Sequence, residues 1–105
     1  MINIRFKSKT LELEVNGHAG QGKKGEDIVC AAVSTLFYTL AQALSDSENM
    51  LKKKPVIKDK DGEGYISCKP KKEFEGNIVR TYWTILVGLE LIANEYKDFI
   101  KFVIE

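Results

Sequence analysis

At Gly17 the hydrophobic period of the chain changes from two residues to between three and four, and that switch limits what the chain can fold into. Before it, Ile2, Ile4 and Phe6 alternate with Asn3, Arg5 and Lys7. Leu11, Leu13 and Val15 repeat the pattern, with Glu12 and Glu14 on the other side. Alternation places one set of side chains on one face of a pleated chain, so each run predicts a half-buried strand. Only residues 8–10 separate the two, which predicts a hairpin. After a glycine-rich stretch, residues 27–45 (DIVCAAVSTLFYTLAQALS) align Val29, Val33, Leu36, Leu40 and Leu44 on one face of a helix.

The second half repeats this plan. Lys52-Lys53-Lys54-Pro55 interrupts any helix, because proline lacks the backbone donor a helix interior needs. Asp61-Gly62 is a hairpin turn signal between strands at 56–58 and 65–69. Residues 77–97 read as a second helix with Asn77 as its N-cap. Its stripe of Ile78, Tyr82, Ile85, Leu89, Ile92 and Tyr96 faces a sheet, and a second stripe of Val79, Trp83, Val87 and Leu91 is apolar as well. Two apolar faces exceed what one sheet can cover, which predicts a homodimer contact. The chain ends in FIKFVI, a last strand. The order β-β-α-β-β-α-β predicts an α+β fold, a mostly antiparallel sheet with two helices packed on one face. At 105 residues it is expected to form one domain over 1–105.

Sixteen basic residues against 15 acidic ones leave a net charge of +1, so bulk electrostatics predicts neither a nucleic-acid nor an anionic-membrane partner. No contiguous apolar run approaches the ~18 residues of a membrane span, and MINIRFKSKT lacks the apolar core of a secretory signal. Two cysteines in such a chain predict free thiols in a reducing cytoplasm.

Three motif lookalikes fail on a chemical requirement. Gly17 to Lys24 approximates a phosphate-binding loop, but Lys24 has no hydroxyl for Mg²⁺. Gly20, Gly22 and Gly25 match G-x-G-x-x-G, yet the acid at the right distance, Asp46, closes a helix where the fingerprint needs a strand end. Asp59 to Ser67 resembles a calcium loop, but Pro70 stands where a bidentate glutamate is required. The acidic turn Asp59–Glu63 is expected to be a hairpin connection. No cofactor and no metal site are expected.

One constellation survives. With a helix starting near residues 26–27, Asp27 is an N-cap or first-turn acid, favourable against the positive helix end. Cys30 follows within a turn, where unpaired amides and the dipole favour a thiolate. Ser34 lies one turn further, so Asp27, Cys30 and Ser34 form a polar column on an apolar helix. His18, the single histidine, opens the preceding loop, and its glycines let the backbone fold back over the helix start. A Cys–His pair supplies both nucleophile and proton carrier for amide cleavage, with helix-start amides as an oxyanion hole. A buried structural cysteine beside a solvated histidine is the other reading of the same spacing.

The stretch GHAGQGKKGEDIVCAAVS resembles the signature of the ribosomal-processing cysteine proteases, the Prp family. The likeness rests on Gly17-His18-Ala19, Gly25, and Asp27-Ile28-Val29-Cys30-Ala31-Ala32-Val33-Ser34. It implies a dimeric α+β endopeptidase with Cys30 as nucleophile and His18 as base. That enzyme removes a short N-terminal extension, rich in hydrophobic and aromatic residues before the cut, from a large-subunit ribosomal protein. The resemblance also marks Asp27 and Ser34 as functional positions. It departs at Gln21 and Lys24, where family members often carry aromatic residues. Gly20, Gln21, Gly22 and Gly25 are expected to act as a flexible flap that orders on peptide binding. The alternative is a non-catalytic ribosome-associated interaction module, using Lys52–Lys54 and the second helix.

Overall fold

Lys7 faces Glu12 and Asn3 faces Asn16 across the first hairpin, in which β1 (Ile2–Lys7) and β2 (Glu12–Asn16) run antiparallel. The computed structural model describes residues 1–17 and 26–105, residues 26 and 27 by their backbone alone. Leu11, expected as the first residue of the second strand, instead closes the turn at φ 54° while its side chain is buried. Left-handed backbone costs a residue with a Cβ roughly 1–2 kcal/mol, comparable to what burying a leucine returns. The second hairpin joins β3 (Val56–Lys60) to β4 (Glu63–Ser67) through Asp61 and Gly62, at φ 51° and 78°. Positive φ at both turn residues matches the twist of the flanking strands, so the acidic stretch is a hairpin connection, as expected.

The sheet order is β3-β4-β2-β1-β5. β5 (Ile100–Ile104) lies parallel to β1, and the other neighbours are antiparallel. Register brings Phe6 opposite Leu13, Leu13 opposite Ile66 and Ile2 opposite Ile100, which gathers the apolar side chains on one face. Arg5 and Lys7 reach Glu14 on the opposite face, and Arg5 also reaches Glu105 at 2.7 Å.

Both helices cover the apolar face. α1 (Glu26–Asp46) contributes Val29, Val33, Phe37, Leu40 and Leu44 to the core. α2 (Glu75–Glu95) contributes Ile78, Tyr82, Ile85, Leu86 and Leu89. The expected stripe holds except at its end, where Ile92 and Tyr96 are half-buried. Of the second stripe, Val79 is half-buried, whereas Trp83, Val87 and Leu91 are exposed by 38, 57 and 66%. Asn77 is not the N-cap of α2. A 3₁₀ turn over Lys72–Phe74 leads into the helix, and Phe74 takes the cap position without a side-chain hydrogen bond. α1 is more apolar than its sequence first shows: Ile28–Asp46 is long and apolar enough, by length and composition, to cross a membrane. In this fold its apolar face lies on the sheet.

Candidate active site

β2 ends at Asn16 opposite Glu63, so the chain leaves the sheet beside the β3–β4 turn. Gly17 then donates its N–H to the Gly62 carbonyl at 3.0 Å. Its φ is +106°, and a Cβ there would stand 2.2 Å from the Met1 carbonyl oxygen. Backbone conformation and space therefore both require glycine at the point where the glycine-rich stretch begins.

Across from this exit lies the N-terminal part of α1. Cys30 is the fifth residue of the helix, half-buried, with a free thiol. It lines a groove between α1 and the second hairpin, together with Gly17, Ser34, Phe37, Tyr38 and Asp59. Residues four apart lie above one another on a helix, so Cys30, Ser34 and Tyr38 form one column down the groove wall. Tyr38 donates its hydroxyl proton to the Asp59 carboxylate, which ties α1 to β3 across the groove. Asp59 pairs with Gly64 on β4, and a Cβ at Gly64 would lie 2.8 Å from the Phe37 ring. The missing side chain lets the ring settle on the strand and sets how closely α1 approaches the hairpin. Among the described lining residues Asp59 is the only charged one, so the groove is largely apolar with one anionic group beyond Ser34.

Cys68 provides the contrast. It follows β4 at the other end of the sheet, is 5% exposed, and accepts a hydrogen bond from the Tyr82 hydroxyl at 3.6 Å. Burial pushes its thiol up in pKa, and the Tyr82 hydrogen bond opposes part of that shift. Burial likewise pushes the Tyr82 phenol up.

The structure brings Cys30 and Ser34 together in one groove. Asp27 lies in the first turn of α1, described by its backbone alone. His18, Gly20, Gln21, Gly22, Lys24 and Gly25 lie outside the described residues. Sequence reasoning missed Tyr38 and Asp59. Tyr38 was within reach, since the column at 27, 30 and 34 continues at 38 with the same spacing. Asp59 becomes visible only once β3 has a register, because its parity decides that it faces α1.

Residues 1–101 match the family described as cysteine protease Prp. The ribosomal processing cysteine protease Prp of Staphylococcus aureus strain Mu50 is 26% identical over 100 residues, 95% of this chain and 92% of its own length. Among solved structures, Prp of S. aureus with a covalently linked product peptide is similar at a TM-score of 0.77, with 24% identity over the full length of both chains. The same protease with a substrate peptide gives 0.73 at 23% identity, over 99% of this chain and 97% of that one. SMU.848 of Streptococcus mutans gives 0.70 at 28% identity, over 98 and 90%. The family match runs through both hairpins and both helices and includes the groove that holds the half-buried Cys30, so the chain belongs to the Prp family of ribosomal processing cysteine proteases.

Proposed function

We propose that this chain is a cysteine endopeptidase that removes a short N-terminal extension from a large-subunit ribosomal protein, with Cys30 as nucleophile and His18 as base. The observation that carries the reading is the placement of Cys30 in an apolar groove that Gly17 also lines, Gly17 being the residue before His18 in the chain. The Cys30 sulfur attacks the scissile carbonyl while His18 takes the thiol proton. His18 then returns that proton to the leaving amine, and water hydrolyses the resulting thioester. Ser34 supports the sulfur from one turn below. Asp27 orients the helix start or His18.

The substrate enters as an extended peptide. β3 is an edge strand, and its Asp59 borders the groove, so strand addition along β3 carries the peptide past Cys30. The apolar walls suit hydrophobic and aromatic residues before the cut. The solution form is a cytoplasmic homodimer, joined through the exposed stripe of Trp83, Val87 and Leu91. These chemistries need no metal or cofactor.

Intact-mass analysis tests the reading. A ribosomal protein with its extension is incubated with the wild type, Cys30→Ala and His18→Ala. One cut by the wild type alone is the expected result. An uncut substrate that S. aureus Prp does cleave would overturn the reading in favour of a non-catalytic ribosome-associated module.

A further inference from the structure

The net charge of +1 conceals an uneven distribution. Two sequence-distant segments, Leu51-Lys52-Lys53-Lys54 and Lys69-Pro70-Lys71-Lys72, hold six lysines and no acid. The fold lays them side by side. Leu51 bridges Pro70, the Lys52 N–H reaches the Lys69 carbonyl at 2.8 Å, and the Lys71 N–H reaches the Met50 carbonyl at 2.9 Å. Lys9, in the turn of the first hairpin, joins them through the hollow it lines with Lys52 and Lys69. All seven are exposed, and among the described residues none forms an ion pair. Glu12 and Glu75 line hollows together with these lysines, and Glu48 and Glu73 adjoin the two segments in the chain, so seven lysines against four acids leave this end net positive.

The patch stands apart from the groove. β1 ends and β2 begins at its end of the sheet, whereas Gly17 and the Asp61-Gly62 turn mark the other. Five residues of β2 separate the two ends, about 16 Å at roughly 3.3 Å per residue.

From this juxtaposition we infer that the lysine end of the molecule is a docking surface for the phosphate backbone of RNA. The side chains are point charges without planar recognition geometry, which suits sequence-independent contact with phosphates. None of the large exposed apolar side chains falls within the two segments, so the patch has nothing to insert into a lipid surface. Two adjacent rows of cations match a regular array of anions better than the scattered carboxylates of an acidic protein. The catalytic groove remains free for a peptide while the opposite end holds RNA. The expectation drawn from net charge is thus replaced by one drawn from its distribution.

Fluorescence anisotropy with a labelled 20-base-pair RNA duplex tests the inference across a salt series. Binding is expected to weaken steeply with salt. The variant K53Q/K54Q/K71Q is expected to bind at least about 10-fold more weakly at low salt, with a log–log salt slope shallower by about 2 to 3. The control R5Q/K97Q/K101Q removes the same charge elsewhere and is expected to bind as the wild type does. Equal weakening by both variants, or by neither, overturns the inference. So does competition by polyglutamate equal to that by RNA at matched charge, or tighter binding to phosphatidylserine vesicles than to the duplex. Cleavage of a short free peptide, measured in parallel, is expected to be the same in all three proteins. Its absence throughout would count against the protease reading and leave the RNA result standing.

Discussion

Cys30 and Cys68 sit at opposite ends of the sheet and differ in what governs a thiol's behaviour. Cys30 is near the head of α1, half-buried, on a groove with Ser34 one turn below it. Cys68 is buried, held under the Tyr82 hydroxyl, and its ionisation is opposed by burial. The more apolar setting, DIVCAAV, belongs to the half-buried Cys30 and the more polar one, YISCKP, to the buried Cys68, so local hydrophobicity does not separate them. Topology does. Cys30 borders the groove from the side of α1 and stays half-buried, whereas Cys68, just past β4, lies under the Tyr82 hydroxyl of α2. Under the proposed function, the reactive thiol belongs to the groove end of the sheet and the structural one to the layer beneath α2.

The sharpest way to break the comparison is to remove each sulfur in turn. Cys30→Ala is expected to lower peptide cleavage by on the order of 10⁴-fold or more without loss of stability. Cys68→Ala is expected to leave cleavage within a few-fold and to cost about 1–3 kcal/mol in urea unfolding, through lost packing and an orphaned Tyr82 hydroxyl. A Cys68→Ala protein that folds normally but does not cut would reverse the assignment.

Alkylation sharpens it next. Iodoacetamide is expected to modify Cys30 at least about 10-fold faster than Cys68 in the folded protein at neutral pH, and both at similar rates in urea, followed by peptide mass mapping. Equal rates in the folded state would remove the distinction.

Glycines at the two ends give a smaller effect. Gly17→Ala meets the Met1 carbonyl and a left-handed backbone, and is expected to cost about 1–3 kcal/mol and slow cleavage. Gly76, in the first turn of α2, has open space around its Cβ, and Gly76→Ala is expected to stabilise by up to about 1 kcal/mol. Thermal melts of both variants check the pair.

The smallest expected effect lies in alkaline pH. Because the folded-state pKa of Cys68 is raised, its contribution is complete below the unfolded thiol's value of about 8.5 and is lost as pH rises toward the folded one. Stability of the wild type is expected to fall more steeply between about pH 8 and 9.5 than that of Cys68→Ala. Urea midpoints across that range measure the difference.

Much of the fold was legible because burial writes itself into alternation. Ile2, Ile4, Phe6 and Leu13 announced two strands and the face they bury, and Asp61-Gly62 announced the second hairpin. Where local rules failed, a tertiary contact had overruled them. Leu11 accepts a left-handed backbone because the core takes its side chain, and the 3₁₀ turn at Lys72–Phe74 displaces Asn77 from the cap. Within the site, Cys30 and Ser34 were readable from helical spacing and from the resemblance carried by residues 17–34. The Tyr38–Asp59 tie was not, because it joins residues 21 positions apart whose meeting depends on the register of β3. The same is true of the lysine end, where two short runs become one surface only through the Leu51–Pro70 bridge.

The parallel pairing of β1 with β5 has a mechanical consequence. β5 lies along β1 from Ile2 opposite Ile100 to Phe6 opposite Ile104, and Glu105 is tied to both Phe6 and Ser8. A pull on the two ends of this segment drags the strands past each other lengthwise. The rungs between them then bear the load together instead of opening one at a time. Stretched between its ends, the domain is expected to resist in shear, and to give way at a higher force than when it is peeled from the β3 edge.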